Sequence, residues 1–229
     1  MLVPRRWIVR LLGSDDALAR LSQAFTVPPV QILLDGRDYR LEAADLDGLS
    51  RSQDVMNAAT RLLDSATALL YVYTGIVAHV RPGSAYWIDG SGREHGIGCS
   101  VFGTLCRLEP DAMAKLTAVV PGSERPKVAA ILSSAASDLV VAKLLSTIPD
   151  HEPSWADLYV LLEIIGGKRV LQGRGYASRS DLNRLFQTAN YYRHGTGVSL
   201  PPVPVSIVQA RGMVRGFVSR WLERRAGAG

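Results

Sequence analysis

Toward the C-terminal end of this 229-residue chain stands the run Asn190-Tyr191-Tyr192-Arg193-His194-Gly195, which sets an amide, two phenols, a guanidinium and an imidazole side by side. Arginine and histidine are residue types that handle phosphate: the guanidinium offers forked donors to phosphate oxygens, and the imidazole acts as a donor or general base. If the preceding helix continues through the run, Arg193 lies seven residues past Phe186 and four past Ala189. That places it on the apolar face, where a cation needs a partner, and Asp157 and Glu163 are the scarce acids at hand. His194 falls one step round, on the flank shared with Asn190. The same residues also suit a plain helix end, where cations complement the dipole and glycine terminates the helix. Tyr191 and Tyr192 carry the same two readings, stacking on bases or filling core and rim.

The charge around this run favours an anionic partner. Residues 1–125 hold 13 Lys/Arg against 14 Asp/Glu, a net of −1, whereas residues 126–229 hold 13 against 7, a net of +6. Between Lys168 and Arg225, 11 basic residues face only Asp181 and Glu223. Such asymmetry points to a polyanion, nucleic acid first, although a solvated basic face gives the same pattern. Arg169, Arg174, Arg179 and Arg184, with Asn190, Tyr191 and Tyr192, are the nucleic-acid-binding candidates; Arg193 and His194 are the catalytic ones.

The elements that must position these residues are helices. Lys127 to Thr147 reads as one Ala- and Ser-rich helix stopped by Pro149. Ser154-x-x-Asp157 resembles a capping box opening a helix with Trp155, Leu158, Tyr159, Leu162 and Ile165 on its apolar stripe, ended by Gly166-Gly167. A basic loop from Lys168 to Tyr176 leads to a third helix capped by Ser180, carrying Leu182, Leu185, Phe186 and Ala189 and ending around Gly195. After Leu200-Pro-Pro-Val-Pro204, Ser206-x-x-Gln209 opens a last helix with Ile207, Ala210, Val214, Phe217, Trp221 and Leu222. Four amphipathic helices with short connections predict a bundle over residues 126–229.

Residues 1–125 alternate strand and helix signals. Arg5 to Leu12 reads as a strand, Ser14 caps a helix, and Gln31–Leu34 and Tyr39–Leu41 flank the hairpin dipeptide Asp35-Gly36. A helix opens at Ser50 or Ser52 and holds its spacing to Leu70. From Tyr71 to Leu108 strands are expected, broken by turns at Arg81-Pro-Gly-Ser84 and Asp89-Gly-Ser-Gly92. The fold class is therefore α+β: an N-terminal mixed α/β domain with an antiparallel sheet, then a C-terminal four-helix bundle.

The order Trp155-Ala-Asp-Leu-Tyr159, Leu185-Phe186-x-x-Ala189-Asn190, Arg193-His194-Gly195, Pro201-Pro202 and Trp221-Leu222 resembles the C-terminal region of a broad set of uncharacterised bacterial proteins and, more distantly, the HEPN-like helical domains. The likeness covers residues 126–225. It implies a four-helix bundle, often dimeric, of the kind found in toxins, RNA-processing proteins and antiphage defence systems. Active members are metal-independent ribonucleases whose arginine and histidine stand four to six residues apart on one helix. Here Arg193 and His194 are adjacent, which departs from that pattern.

Other chemistry is weaker. Gly90-x-Gly92 with Arg93, Glu94, His95, Gly96 and Gly98 lacks the strand-to-helix context and Lys-Ser/Thr of a P-loop and reads as a hairpin turn. Cys99, His95 and Asp89 would make a nucleophile set only if they converged. His79, His95, His151 and His194 are dispersed, so neither metal nor cofactor is expected. Cys99 and Cys106 are too few for a secreted disulfide framework, Arg10 and Asp15-Asp16 break the N-terminal apolar patch, and Asp64 and His79 interrupt Leu62 to Val80; a cytoplasmic chain without export signal or membrane span is the expectation.

Three functions are compatible with these residues. The first is a non-catalytic or weakly catalytic RNA or polyanion binder, of bacterial defence or toxin type by the resemblance. The second is a protein–protein interaction module of a larger complex. The third is a divergent metal-independent ribonuclease using Arg193 and His194, although adjacent helical positions point about 100° apart, which hinders convergence on one phosphate.

Overall fold

The computed structural model describes residues 6–97, 124–194 and 199–227. The expected strand continuation to Leu108, both cysteines and Gly195 lie outside them. The fold is α+β, and the chain divides into two compact units, Met1–Ser133 and Ser134–Gly229.

The first unit is built on a five-stranded antiparallel sheet in the order β2-β3-β1-β4-β5. Its central strand β1 (Arg6–Gly13) buries Trp7, Ile8, Val9 and Leu11. The Trp7 indole N–H donates to the Leu49 carbonyl at 2.9 Å and its backbone N–H to the Asp47 carboxylate at 2.9 Å, which ties the short helix α2 (Ala44–Asp47) to β1. Ser14 caps α1 (Asp15–Ala24), its hydroxyl accepting from the Ala17 N–H. β2 (Val30–Asp35) and β3 (Asp38–Ala43) pair across Gly36-Arg37. Gly36 has φ +64°, the condition of a type II′ hairpin turn.

Two expectations are corrected in this unit. Helix α3 runs from Ser52 to Thr74, so Tyr71–Tyr73 are helical and not strand. Burial of Leu69 to Val72 outweighs their β propensity, and Gly75, with φ +78°, ends the helix by donating its N–H to the Tyr71 carbonyl at 2.7 Å. Arg81-Pro-Gly-Ser84 is not a turn but lies inside β4 (Val80–Ile88), paired with β1. The register shifts between Val9 and Leu11, opposite Pro82, so an irregularity accommodates a residue that has no N–H to donate. The expected turn at Asp89–Gly92 does form, between β4 and β5 (Glu94–Ile97).

Lys127–Thr147 is two helices rather than one. α4 (Arg125–Ala135) spans the division between the units, and α5 (Leu139–Thr147) starts afresh because the Asp138 carboxylate accepts from the Val140 and Val141 N–H groups. Serine-rich sequence before an aspartate loses to a helix N-cap. The second unit continues with α6 (Trp155–Ile164), α7 (Gly167–Gly173), α8 (Arg179–His194) and α9 (Ile207–Arg225). The stretch expected as a basic loop from Lys168 thus contains α7. The capping boxes Ser154/Asp157 and Ser206/Gln209 both form as read. α8 is capped by Ser178, whose hydroxyl accepts from the Asp181 N–H at 3.1 Å, two residues before the expected Ser180. Among the described residues no single helix is long and apolar enough to cross a membrane.

Asp138 also receives Arg225 from the far end of α9, through Nε at 2.5 Å and Nη2 at 3.2 Å. This bond holds the Asp138 carboxyl below the usual carboxylate range. A depressed folded-state pKa contributes stability above the unfolded-state value, about 4, and that stability is lost as pH falls through the folded value. Asp138→Ala is therefore expected to lower the urea midpoint at neutral pH, with the gap to wild type closing in acid; a gap independent of pH would contradict the pairing.

Candidate nucleic-acid interface

The second unit places its candidate residues by burying one face of each helix. α6 buries Leu158, Leu161 and Leu162, α7 buries Leu171, and α8 buries Leu182, Leu185, Thr188 and Ala189. α6 packs on α7, α8 and α9, and α7 packs on α8. The reversal from α6 into α7 uses Gly166 at φ +104° and Gly167 at φ +64°. A Cβ at Gly166 would come within 2.6 Å of Val170 Cγ2 and 2.8 Å of Val170 Cβ, so glycine is required there on both backbone and space.

With those stripes inward, the flanks of α6, α7 and α8 form a groove. One hollow of it, about 420 Å³, is lined by Tyr159, Lys168, Asn183, Phe186, Gln187 and Asn190. A neighbouring hollow of about 570 Å³ is lined by Lys168, Arg169, Gln172 and Gly173, so Lys168 belongs to both. Tyr159 lines the smaller one: Phe186 meets it edge-on at 6.1 Å, and the Arg193 guanidinium carbon lies 4.4 Å from its ring centre. A guanidinium within about 6 Å of a ring is drawn to the π face. On the same helix pair, Tyr192 stacks flat on Trp155 at 5.3 Å and Tyr191 stands edge-on to Tyr192 at 5.3 Å. Tyr192 remains 55% exposed despite these contacts.

Arg193 thus meets α6 as its position on the helix requires, but its neighbour is the Tyr159 ring and not Asp157 or Glu163. Asp157 instead closes the Ser154 capping box and lies 3.6 Å from His151. His194 is exposed at the last residue of α8, beside Arg193, whose charge complements the helix dipole. Asn190 and Arg169 line the groove, and Arg174 and Arg179, at the end of α7 and the start of α8, are exposed. Arg184 turns to the connection before α9, its Nε donating to the Val203 carbonyl at 3.1 Å, with Asp181 3.8 Å away. Thr188 accepts from the Val205 N–H and Gln187 donates to the Ser199 carbonyl along the same connection.

The basic surplus therefore divides by role. Arg211 binds the Pro153 carbonyl and Glu152, Arg220 binds the Tyr176 carbonyl, and Arg225 binds Asp138, all within the unit. Lys168, Arg169, Arg174 and Arg179 keep their charge at the surface. Tyr159, Phe186 and Trp155 read in the sequence as core stripe, and neither Asn183 nor Gln187 is among the residues that the sequence singles out. The spacing of Asn183, Gln187 and Asn190, at i, i+4 and i+7, was the available signal.

In the first unit, Asp89 and His95 form a hairpin lock. Asp89 accepts from the Ser91 hydroxyl and N–H and the Arg93 N–H, pairs with His95 Nε2 at 2.8 Å, and His95 stacks on Trp87 at 4.0 Å. The Ser91 and His95 bonds hold the Asp89 carboxyl well below the usual range. Cys99, the proposed nucleophile of that set, lies outside the described residues. No known protein family, curated protein or solved structure matches the chain.

Gly166→Ala tests whether the α6–α7 reversal requires glycine. Strain of this kind costs about 1–3 kcal/mol, so the urea midpoint is expected to fall, whereas Gly173→Ala, with nothing within 4 Å of its Cβ, does not lower it.

Proposed function

We propose that the C-terminal unit binds single-stranded RNA along the α6–α8 groove and does not cleave it. The observation that carries this reading is the Tyr159 ring, edged by Phe186 and covered by Arg193, in a hollow whose wall includes Lys168. Aromatic rings beside cations suit single strands, because unpaired bases can stack on them while phosphates meet the charges. A duplex keeps its bases stacked internally and would leave those rings unused. From Asn183 to Arg193, α8 rises about 15 Å at 1.5 Å per residue, the length of about four stacked nucleotides at 3.4 Å each.

Binding is favoured over catalysis because Arg193 leans on Tyr159 while His194 occupies the next helical position, about 100° round. By the HEPN-like resemblance we assign the module to a bacterial defence or toxin system, working in the cytoplasm where RNA is met. A protein partner is the second reading, supported by the exposed apolar side chains Leu139, Val203 and Val208, which are 86%, 63% and 72% accessible.

Salt separates the two. Affinity for a labelled single-stranded RNA is expected to fall steeply with salt, the slope of log K against log salt being about −0.7 per phosphate contacted. Lys168→Ala should flatten that slope by about one contact, and Tyr159→Ala should weaken binding roughly tenfold at every salt concentration, as loss of a stacking ring does. His194→Ala should leave binding unchanged. Absence of binding at low salt would overturn the RNA reading and favour the protein partner.

A further inference from the structure

Resting on that reading, we infer that the groove selects bases with an exocyclic amino group on the edge that adenine presents through N6 and N7, adenine above all, through the carboxamide row Asn183, Gln187 and Asn190. Three amides on one flank of α8 add no net charge, so they contribute nothing to Coulomb attraction for phosphate. Each presents a donor and an acceptor in one plane, the pattern that reads a base edge. Asn and Gln pair with the N6 and N7 positions of adenine, whereas guanine offers two acceptors on that edge and suits arginine or lysine. The rings of Tyr159 and Phe186 and all three amides line one hollow, so a base stacked on the rings turns its edge toward the amides.

Gln187 sharpens the choice. Its Nε2 donates to the Ser199 carbonyl at 3.1 Å, and only the amino end of an amide can make that bond. The amide is therefore held in one orientation, with Oε1 left as the acceptor. A fixed acceptor welcomes the N6 amino group of adenine and repels the O6 of guanine or the O4 of uracil. Arg193, which would favour guanine, is drawn to the face of Tyr159 and not to the amide row.

The test compares fluorescence anisotropy of an eight-nucleotide oligoadenylate with an oligonucleotide of purine riboside, which keeps the ring and N7 but lacks the amino group. Wild type is expected to bind oligoadenylate about tenfold more tightly. Gln187→Ala, with Asn190→Ala as the second variant and circular dichroism confirming the fold of each, should shrink that ratio while the salt slope stays unchanged. Equal affinity of the wild type for the two oligonucleotides would overturn base selection and leave RNA binding standing. Binding of neither, at low salt, would overturn both.

Discussion

Leu182, Leu185, Thr188 and Ala189 are fully buried, and the cost of exposing them fixes the rotation of α8 about its own axis. Each buried leucine is worth roughly 1.5–3 kcal/mol relative to exposure, far more than any one surface contact on the opposite flank. Once the stripe is inward, residues 183, 187 and 190 have no choice but to lie along the edge facing α6 and α7. Arg193 is carried to the next turn of the same edge, where Tyr159 waits on α6. The groove is in this sense a by-product of core packing, and its contents are what the chain has placed on a flank that packing leaves uncovered.

The arginines show the same economy of position. Arg211, Arg220 and Arg225 of α9 reach back to carbonyls and carboxylates at Asp138, Glu152, Pro153 and Tyr176, so they hold the ends of other elements against the last helix. Arg184, Gln187 and Thr188 fasten the proline-rich connection to α8, with Thr188 buried and bonded on both its donor and acceptor sides. The cluster on and beside α7, Lys168, Arg169, Arg174 and Arg179, is left to solvent. Net charge counts all of these cations alike, but only those without a neighbouring carbonyl or carboxylate are placed to meet a polyanion.

Local signals were read well because their physics is local. Ser154 with Asp157, Ser206 with Gln209, Ser14 and Gly36 each satisfy backbone groups within a few residues, so the sequence alone suffices. Tyr71–Tyr73 and Pro82-Gly83 were misread because a buried helix face and a paired neighbouring strand outweigh propensity, and neither is visible along the chain. Asp138 is an intermediate case: the cap is local, but it was hidden by the helical composition on both sides. The site divides along the same line. The face of Arg193 follows from periodicity, yet its pairing with Tyr159 joins residues 34 apart in sequence on two helices, and no spacing rule reports such a meeting.

The most direct test is to locate RNA on the protein by photo-crosslinking a thionucleobase-bearing single strand and mapping the adducts by mass spectrometry. Adducts are expected in the peptides of α6 and α8 that carry Tyr159, Phe186 and Tyr192. Adducts confined to the sheet-containing unit, with none on α6 or α8, would contradict it.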